Sequence, residues 1–288
     1  GKSHPTIALI AHLDTSPEAP GDGVKPQVVE AYDGRDITLP SGAVMNHVNS
    51  PELPQLVGKT LITTDGTTLL GGDDKAGVAI IMEVAHHLME RPHLPHGTVK
   101  VLFTCDEEIG RGTDRIDLAK LGAQAAYTLD GGGAGMLDVE TFSADAMRIT
   151  FIGHNIHPAI AKGHMVNAVR GACDFVNSLP RADRTPETTQ GRDGFIHAHD
   201  IRGGVGGCEI DVILRSFDTA QLDEFAKIVE DRAYEAASRL PGVRVEIQRR
   251  RQYRNFAEGL RKVPESVDFA EQAYQNLGRP YVRAIVRG

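Results

Sequence analysis

Thr6-Ile7-Ala8-Leu9-Ile10-Ala11, running directly into His12, has no polar side chain after its threonine. A strand with one wet face would alternate, so this unbroken run predicts a strand covered on both faces, as in a parallel sheet between helices. Two further runs repeat it: Thr98-Val99-Lys100-Val101-Leu102-Phe103-Thr104, rich in β-formers, and Ala125-Ala126-Tyr127-Thr128-Leu129. Between the first two, after a Thr64-Asp65-Gly66 turn and the pair Asp73-Asp74, Val78, Ile81, Met82, Ala85, Leu88 and Met89 recur at helical spacing until Pro92. That predicts a helix over 75–90, and a shorter helical stretch precedes the third run. Short strands alternating with helices predict the α/β class, a mixed sheet flanked by helices.

From about Met147 the period changes to two. Arg148-Ile149-Thr150-Phe151-Ile152 alternates, as do Ile210, Val212 and Leu214, and later Val243, Val245 and Ile247, so these strands bury one face only. Asp218 can cap a helix whose stripe is Leu222, Phe225, Ala226, Val229, Ala233 and Ala236, and 165–179 reads as another helix. The result is an inserted α+β domain, a four-stranded antiparallel sheet with two helices on one face. Residues 178–194, rich in Pro, Thr and Gly, form its loop, and a helix over 263–277 returns to the first domain. The predicted division is 1–144, 145–253 and 254–288.

With 288 residues, 41% of them hydrophobic, the chain can bury a large core. Its apolar runs are strand-sized, far short of the roughly 20 residues that span a bilayer. Gly1-Lys2-Ser3-His4-Pro5 leads into a strand rather than a signal-peptide core, so the expected location is cytoplasmic, with no membrane partner. A net charge of −8 argues against a phosphate-coating surface, and Arg249-Arg250-Arg251 is too short to overturn that; nucleic acid is not an expected partner. Cys105, Cys173 and Cys208 stand singly, without metal-type spacing, and read as free thiols.

His12, Asp73, the pair Glu107-Glu108 and Asp130 each fall just after a predicted strand or at a strand-to-helix turn. The carboxyl ends of strands in an open parallel sheet converge on one edge, so these groups can meet there. Carboxylates gathered at a buried edge are costly without a compensating cation. Imidazole with carboxylates suits zinc, and a bridging carboxylate supports two ions roughly 3.5–4 Å apart. Adjacent glutamates can divide the labour, one binding metal while the other moves a proton from the attacking water to the leaving amine. Amide hydrolysis is the reaction this favours.

His12-Leu13-Asp14-Thr15-Ser16-Pro17, Leu70-Gly71-Gly72-Asp73-Asp74-Lys75-Ala76-Gly77, Asp106-Glu107-Glu108 and Tyr127-Thr128-Leu129-Asp130-Gly131-Gly132-Gly133 resemble, in order and spacing, the peptidase T family. These are tripeptide aminopeptidases, zinc metallopeptidases of the aminoacylase and carboxypeptidase-like superfamily. The resemblance continues through His154-Asn155-Ile156-His157-Pro158, Ala161-Lys162-Gly163 and Met165-Val166-Asn167-Ala168, and so covers essentially the whole chain. It implies that His12 binds one zinc ion, Asp73 bridges two, and Glu108 and Asp130 each bind one, with Glu107 as catalytic base and Asp14 orienting His12. It implies a catalytic domain over 1–144 and 254–288 and a lid over 145–253, with His157 of the lid stabilising the oxyanion. Arg287 would grip a substrate carboxylate and Asn167 would lie on the substrate side. The implied substrate is a short peptide, and the superfamily admits a homodimer or a monomer. Full-length relatives are expected to have a further segment before the first strand and to continue past Gly288, through a Gly-Thr-Asp-Gly stretch, to another zinc-ligand histidine. The chain is therefore expected to be truncated at both ends.

Taken singly, these residues have plainer readings. His12 at a strand end is more often a satisfied edge histidine, Asp73-Asp74-Lys75 a helix start that favours acids, Glu107-Glu108 a solvated loop and Asp130-Gly131-Gly132-Gly133 a turn. Asp74 is read as only that helix start; for the others, coincidence in one chain reverses the odds. No Gly-x-Gly-x-x-Gly supports a dinucleotide site. His197 and His199 read as strand-face residues, and His86, His87, His93 and His96 as exposed. Two alternatives stand beside the peptidase: an amidohydrolase of aminoacylase or carboxypeptidase type with the same centre, and a non-catalytic metal-binding protein.

Overall fold

The computed structural model describes residues 4–287. Two compact units divide the chain, Gly1–Gly133 and Ala134–Gly288. The first runs β1 (Ile7–His12), β2 (Gln27–Val29), β3 (Ile37–Thr38), β4 (Val44–Met45), β5 (Leu61–Thr63), α1 (Gly72–Glu90), β6 (Val99–Thr104), α2 (Leu118–Leu121) and β7 (Ala125–Thr128). The three apolar runs lie side by side in a parallel sheet ordered β6-β1-β7, Ile7 opposite both Val99 and Ala125. β2 with β5 and β3 with β4 make small antiparallel pairs. α1 packs on β1 and becomes regular from Lys75, because the Asp73 and Asp74 backbones are not helical.

Burial in this unit is less complete than the apolar runs predict. Ala8, Ala11 and His12 are buried, but Ile7, Leu9 and Ile10 are only half-buried. On α1, Ile81 is buried while Met82 and Met89 are 53% and 82% exposed. The buried positions of α1 are Asp74, Gly77 and Ile81, so the stripe is narrower than the apolar count implies.

The second unit runs β8 (Met136–Thr141), β9 (Ser143–Ile152), α3 (Ala168–Ser178), β10 (Phe195–Gly204), β11 (Gly207–Ser216), α4 (Gln221–Ser238), β12 (Arg244–Tyr253), α5 (Ala257–Leu260), α6 (Glu265–Asn276) and β13 (Val282–Val286). Its antiparallel sheet is ordered β10-β11-β9-β12. The whole predicted stripe of α4, from Leu222 to Ala236, is buried in one cluster with α3 and with Ile149, Phe151, Ile210, Val212 and Leu214 of the sheet. Each large side chain so buried contributes ~1.5–3 kcal/mol.

Asp218 does not cap α4. The helix starts at Gln221, and the Asp218 carboxylate accepts the Ala220 N–H at 2.9 Å in a turn just ahead of it. α3 begins at Ala168 with Asn167 as its cap, later than 165–179 predicts. β8 and β13 pair in parallel, joining 134–144 to 254–288, two stretches that the sequence assigns together with the first strands. No helix among the described residues is long and apolar enough to cross a membrane.

Candidate metal centre

Because β1, β6 and β7 are parallel, their carboxyl ends share an edge, and His12 is the last residue of β1. Asp130 follows β7, Glu107 and Glu108 follow β6, and Asp73 stands at the entry to α1. Nε2 of His12 lies 2.8 Å from Asp73 Oδ1, 3.7 Å from Asp130 Oδ2 and 4.0 Å from Glu107 Oε2. Two sets, His12 with Glu107 and Asp130, and His12 with Asp73 and Glu108, each bring one donor atom per residue within 4.8 Å of one another. The glutamates reach the edge because Asp106 takes a left-handed φ of 64°, which aspartate tolerates better than most residues. Gly110 and Arg111 N–H groups then close the turn onto the Glu107 and Asp106 carbonyls at 2.7 and 2.8 Å. The Asp73–Asp74 peptide is cis.

Asp14 works through two different parts. Its main-chain carbonyl accepts from His12 Nδ1 at 3.0 Å, which leaves Nε2 facing the carboxylates. Its Oδ2 accepts the Glu108 N–H at 3.0 Å, so the carboxylate holds the glutamate loop. Asp14 Oδ1 is buried without a hydrogen bond, 3.4 Å from His12 Nδ1.

Burial, then the charges of Asp74 and Asp73, push the Asp130 carboxyl up to about 6. Burial also raises Glu107, against the His12 charge and with help from Glu108, Asp14 and Asp73. Burial disfavours the His12 imidazolium, yet the Asp73 hydrogen bond and the charges of Asp130 and Glu107 hold its pKa above the ordinary value. For Asp14 burial acts upward, but the N–H groups of Glu108 and Glu107 keep the carboxyl below the usual range. Carboxyls held back from ionising by burial and, after it, by one another are what a divalent cation relieves. One imidazole with several carboxylate oxygens is a donor set that zinc accepts, so these residues fit a metal.

The other expected site residues belong to the second unit. His157 opens a short 3-10 turn, its Nδ1 accepting the Ala159 N–H at 3.2 Å, so a neutral ring carries its proton on Nε2. Asn167 Oδ1 accepts the Val169 N–H at 3.0 Å. Arg287 donates to the carbonyls of Gly191 and Asp193 at 2.8 and 3.1 Å and to Thr189 Oγ1 at 2.9 Å, and it stacks over Phe142 and Phe195. It staples the 189–193 loop, a role its terminal position in the sequence does not show. In the first unit, a cavity of about 570 Å³ lies between β6 and residues 111–121, and none of His12, Asp73, Glu107, Glu108 and Asp130 lines it.

Residues 139–240 match a family model, M20_dimer, described as a peptidase dimerisation domain. Over 290 aligned residues the chain is 44% identical to peptidase T of Geobacillus thermodenitrificans, covering 100% of this chain and 70% of that protein. The chain belongs to the peptidase T family. Peptidase T of Clostridium perfringens is 42% identical, again over 100% of this chain and 70% of that protein. Among solved structures the fold resembles aminopeptidase PepT from Bacillus cereus, with TM-score 0.73, 23% identity, and 100% of this chain and 68% of that one covered. It also resembles YXEP of Bacillus subtilis, a dinuclear metal binding peptidase from the M20 family, with TM-score 0.58, 16% identity and coverage of 100% and 67%. At such identities these two likenesses speak for the fold. Asp74, Lys75 and Asp106 take part in holding the centre although their types and spacing do not single them out. An acid-acid-lysine helix start looks the same whether or not its carboxylate reaches another strand, and no residue type announces a left-handed turn at Asp106.

Proposed function

We propose that the chain is a tripeptide aminopeptidase that hydrolyses the N-terminal peptide bond of a short peptide, with Glu107 as general base. The observation that carries this is the convergence of His12, Asp73, Glu108 and Asp130 with Glu107 at one sheet edge, in a chain of this family. His12, Asp73, Glu108 and Asp130 would hold two zinc ions, Asp73 shared between them. Bound zinc supplies positive charge that makes water more acidic and stabilises negative charge on a carbonyl oxygen.

Glu107, with 52% of its side chain exposed, takes the proton of the attacking water on a carboxylate oxygen and delivers it to the departing amine. Its raised pKa makes it a better proton acceptor than an ordinary glutamate. Asp14 orients His12 through its carbonyl and steadies the Glu107-Glu108 loop through its carboxylate. His157, in a lid over 145–253 that closes on the catalytic part formed by 1–144 and 254–288, offers Nε2–H to the oxyanion. Asn167 and Arg287 serve the substrate side with the N–H groups that their cap and staple bonds leave over. The dimerisation-domain match supports a homodimer, and the location proposed is cytoplasmic.

An aminoacylase or carboxypeptidase type of amidohydrolase would share the centre, but family membership favours tripeptides. Metal analysis of the 288-residue chain combined with a tripeptide cleavage assay tests the reading. About two zinc ions per chain, with cleavage abolished by chelation, supports it. At most one weakly held ion and no cleavage leaves a non-catalytic metal-binding protein.

A further inference from the structure

We propose that Asp74 and Lys75 are positioning residues that fix the His12-Leu13 backbone so that the imidazole meets its metal; the proposal rests on the metal reading above. β1 and β7 exchange ladder bonds until the Leu129 N–H reaches the Ile10 carbonyl at 2.9 Å. In a parallel ladder the next bond would run from the His12 N–H to the Leu129 carbonyl. The pairing has ended by then, and the His12 N–H goes instead to Asp74 Oδ2 at 3.2 Å. Asp74 thus replaces a strand at the point where the sheet gives out.

The other Asp74 oxygen accepts the Gly77 N–H at 3.1 Å, closing the first turn of α1. Gly77 is there because nothing larger fits: a Cβ would lie 2.2 Å from the Leu129 carbonyl oxygen and 2.5 and 2.9 Å from the Asp74 oxygens. The carboxylate, on a residue only 2% exposed, therefore sits where three segments touch, and those segments carry His12, Asp73 and Asp130. One residue on, Lys75 Nζ donates to the Leu13 carbonyl at 2.9 Å, so two neighbouring side chains grip the peptide groups on either side of the His12–Leu13 peptide, where β1 ends. A helix cap alone would explain the Gly77 bond but neither of these. Charge-assisted bonds to backbone are the strong kind, and a metal site tolerates little displacement of its ligands.

The experiment compares wild type, Asp74→Asn and Lys75→Met as full 288-residue chains, by zinc titration against a chromophoric chelator and by the absorption spectrum of bound Co2+. Asparagine keeps the shape of Asp74 but sets an NH2 against a backbone N–H. We expect Asp74→Asn to weaken zinc binding roughly 10–100-fold, the usual effect of removing a group behind the ligands, and to alter the cobalt spectrum. Lys75 is exposed, so Lys75→Met leaves the metal-free melting temperature unchanged, and it weakens binding several-fold. If Asp74→Asn does not fold, Lys75→Met decides alone. Wild-type affinity and an unchanged cobalt spectrum in the folded variants overturn the proposal. A wild-type chain that takes up no zinc overturns the metal reading itself and this inference with it, so the two failures are distinct.

Discussion

Glu107 and Glu108 are adjacent and carry different assignments, and each falls in one of the two donor sets around His12. If Glu107 is the base, Glu107→Gln keeps the zinc and loses activity by roughly 10²–10⁴-fold, since only the proton carrier is gone. Metal analysis of the purified variant checks this, and loss of zinc would make Glu107 a ligand. His157→Ala is expected to lower kcat more than it raises KM, because an oxyanion contact strengthens as the transition state forms; steady-state kinetics showing the reverse make His157 a binding residue. The positions of His12, Asp73, Glu107, Glu108 and Asp130 were legible because strand ends in a parallel sheet converge whatever lies between them. An orienting bond from Asp14 to His12 was expected; that it comes from the main-chain carbonyl while the carboxylate takes the Glu108 N–H, and that the His12 N–H goes to Asp74, were not legible. They depend on which backbone N–H is left over where a ladder stops, and no residue pattern encodes that.

α4 was readable as an element because its stripe has helical period and one continuous face of the antiparallel sheet to meet. Phe225, 2% exposed, tests that packing: Phe225→Ala is expected to cost ~3–5 kcal/mol, measured by denaturant unfolding, and a loss under about 1 kcal/mol would mean that the face is not packed as described. A second tie runs across the same sheet, where Asp145, 1% exposed, holds Arg249 at 2.6 Å and Arg254 at 2.7 Å. Because both arginines keep some water, Asp145→Ala is expected to cost about 2 kcal/mol rather than the value for a fully buried pair. β8 and β13 escaped notice for a physical reason: Asp138, Glu140 and Arg283 interrupt their apolar runs, and each strand is recognisable only by pairing with the other. The outward placement of Met82 and Met89 on α1 has a related cause, since an apolar count does not say how much of a helix face a sheet will cover.

The chain as a whole sets a parallel edge crowded with acids, which is costly without a cation, against a sheet laced with stabilising arginine–carboxylate pairs. Arg148, with Arg202 beside it, holds the Asp211 carboxyl below the usual range, and Arg192 does the same for Glu140. A carboxyl depressed in the folded state binds fewer protons there than when unfolded, so stability rises with pH across the window between its folded and unfolded values. The stability gap between wild type and Asp211→Asn should therefore be full above the unfolded value of about 4, and shrink as pH falls through the depressed folded value. Unfolding curves across that range check it, and a gap independent of pH contradicts it. Whether the acidic edge holds zinc is settled by anomalous diffraction at the zinc absorption edge from crystals of the zinc-loaded chain. Peaks are expected at about 2 Å from His12 Nε2 and from carboxylate oxygens of Asp73, Glu108 and Asp130. Zinc found only elsewhere in the chain, with these four residues bonded to no ion, would contradict their assignment as ligands.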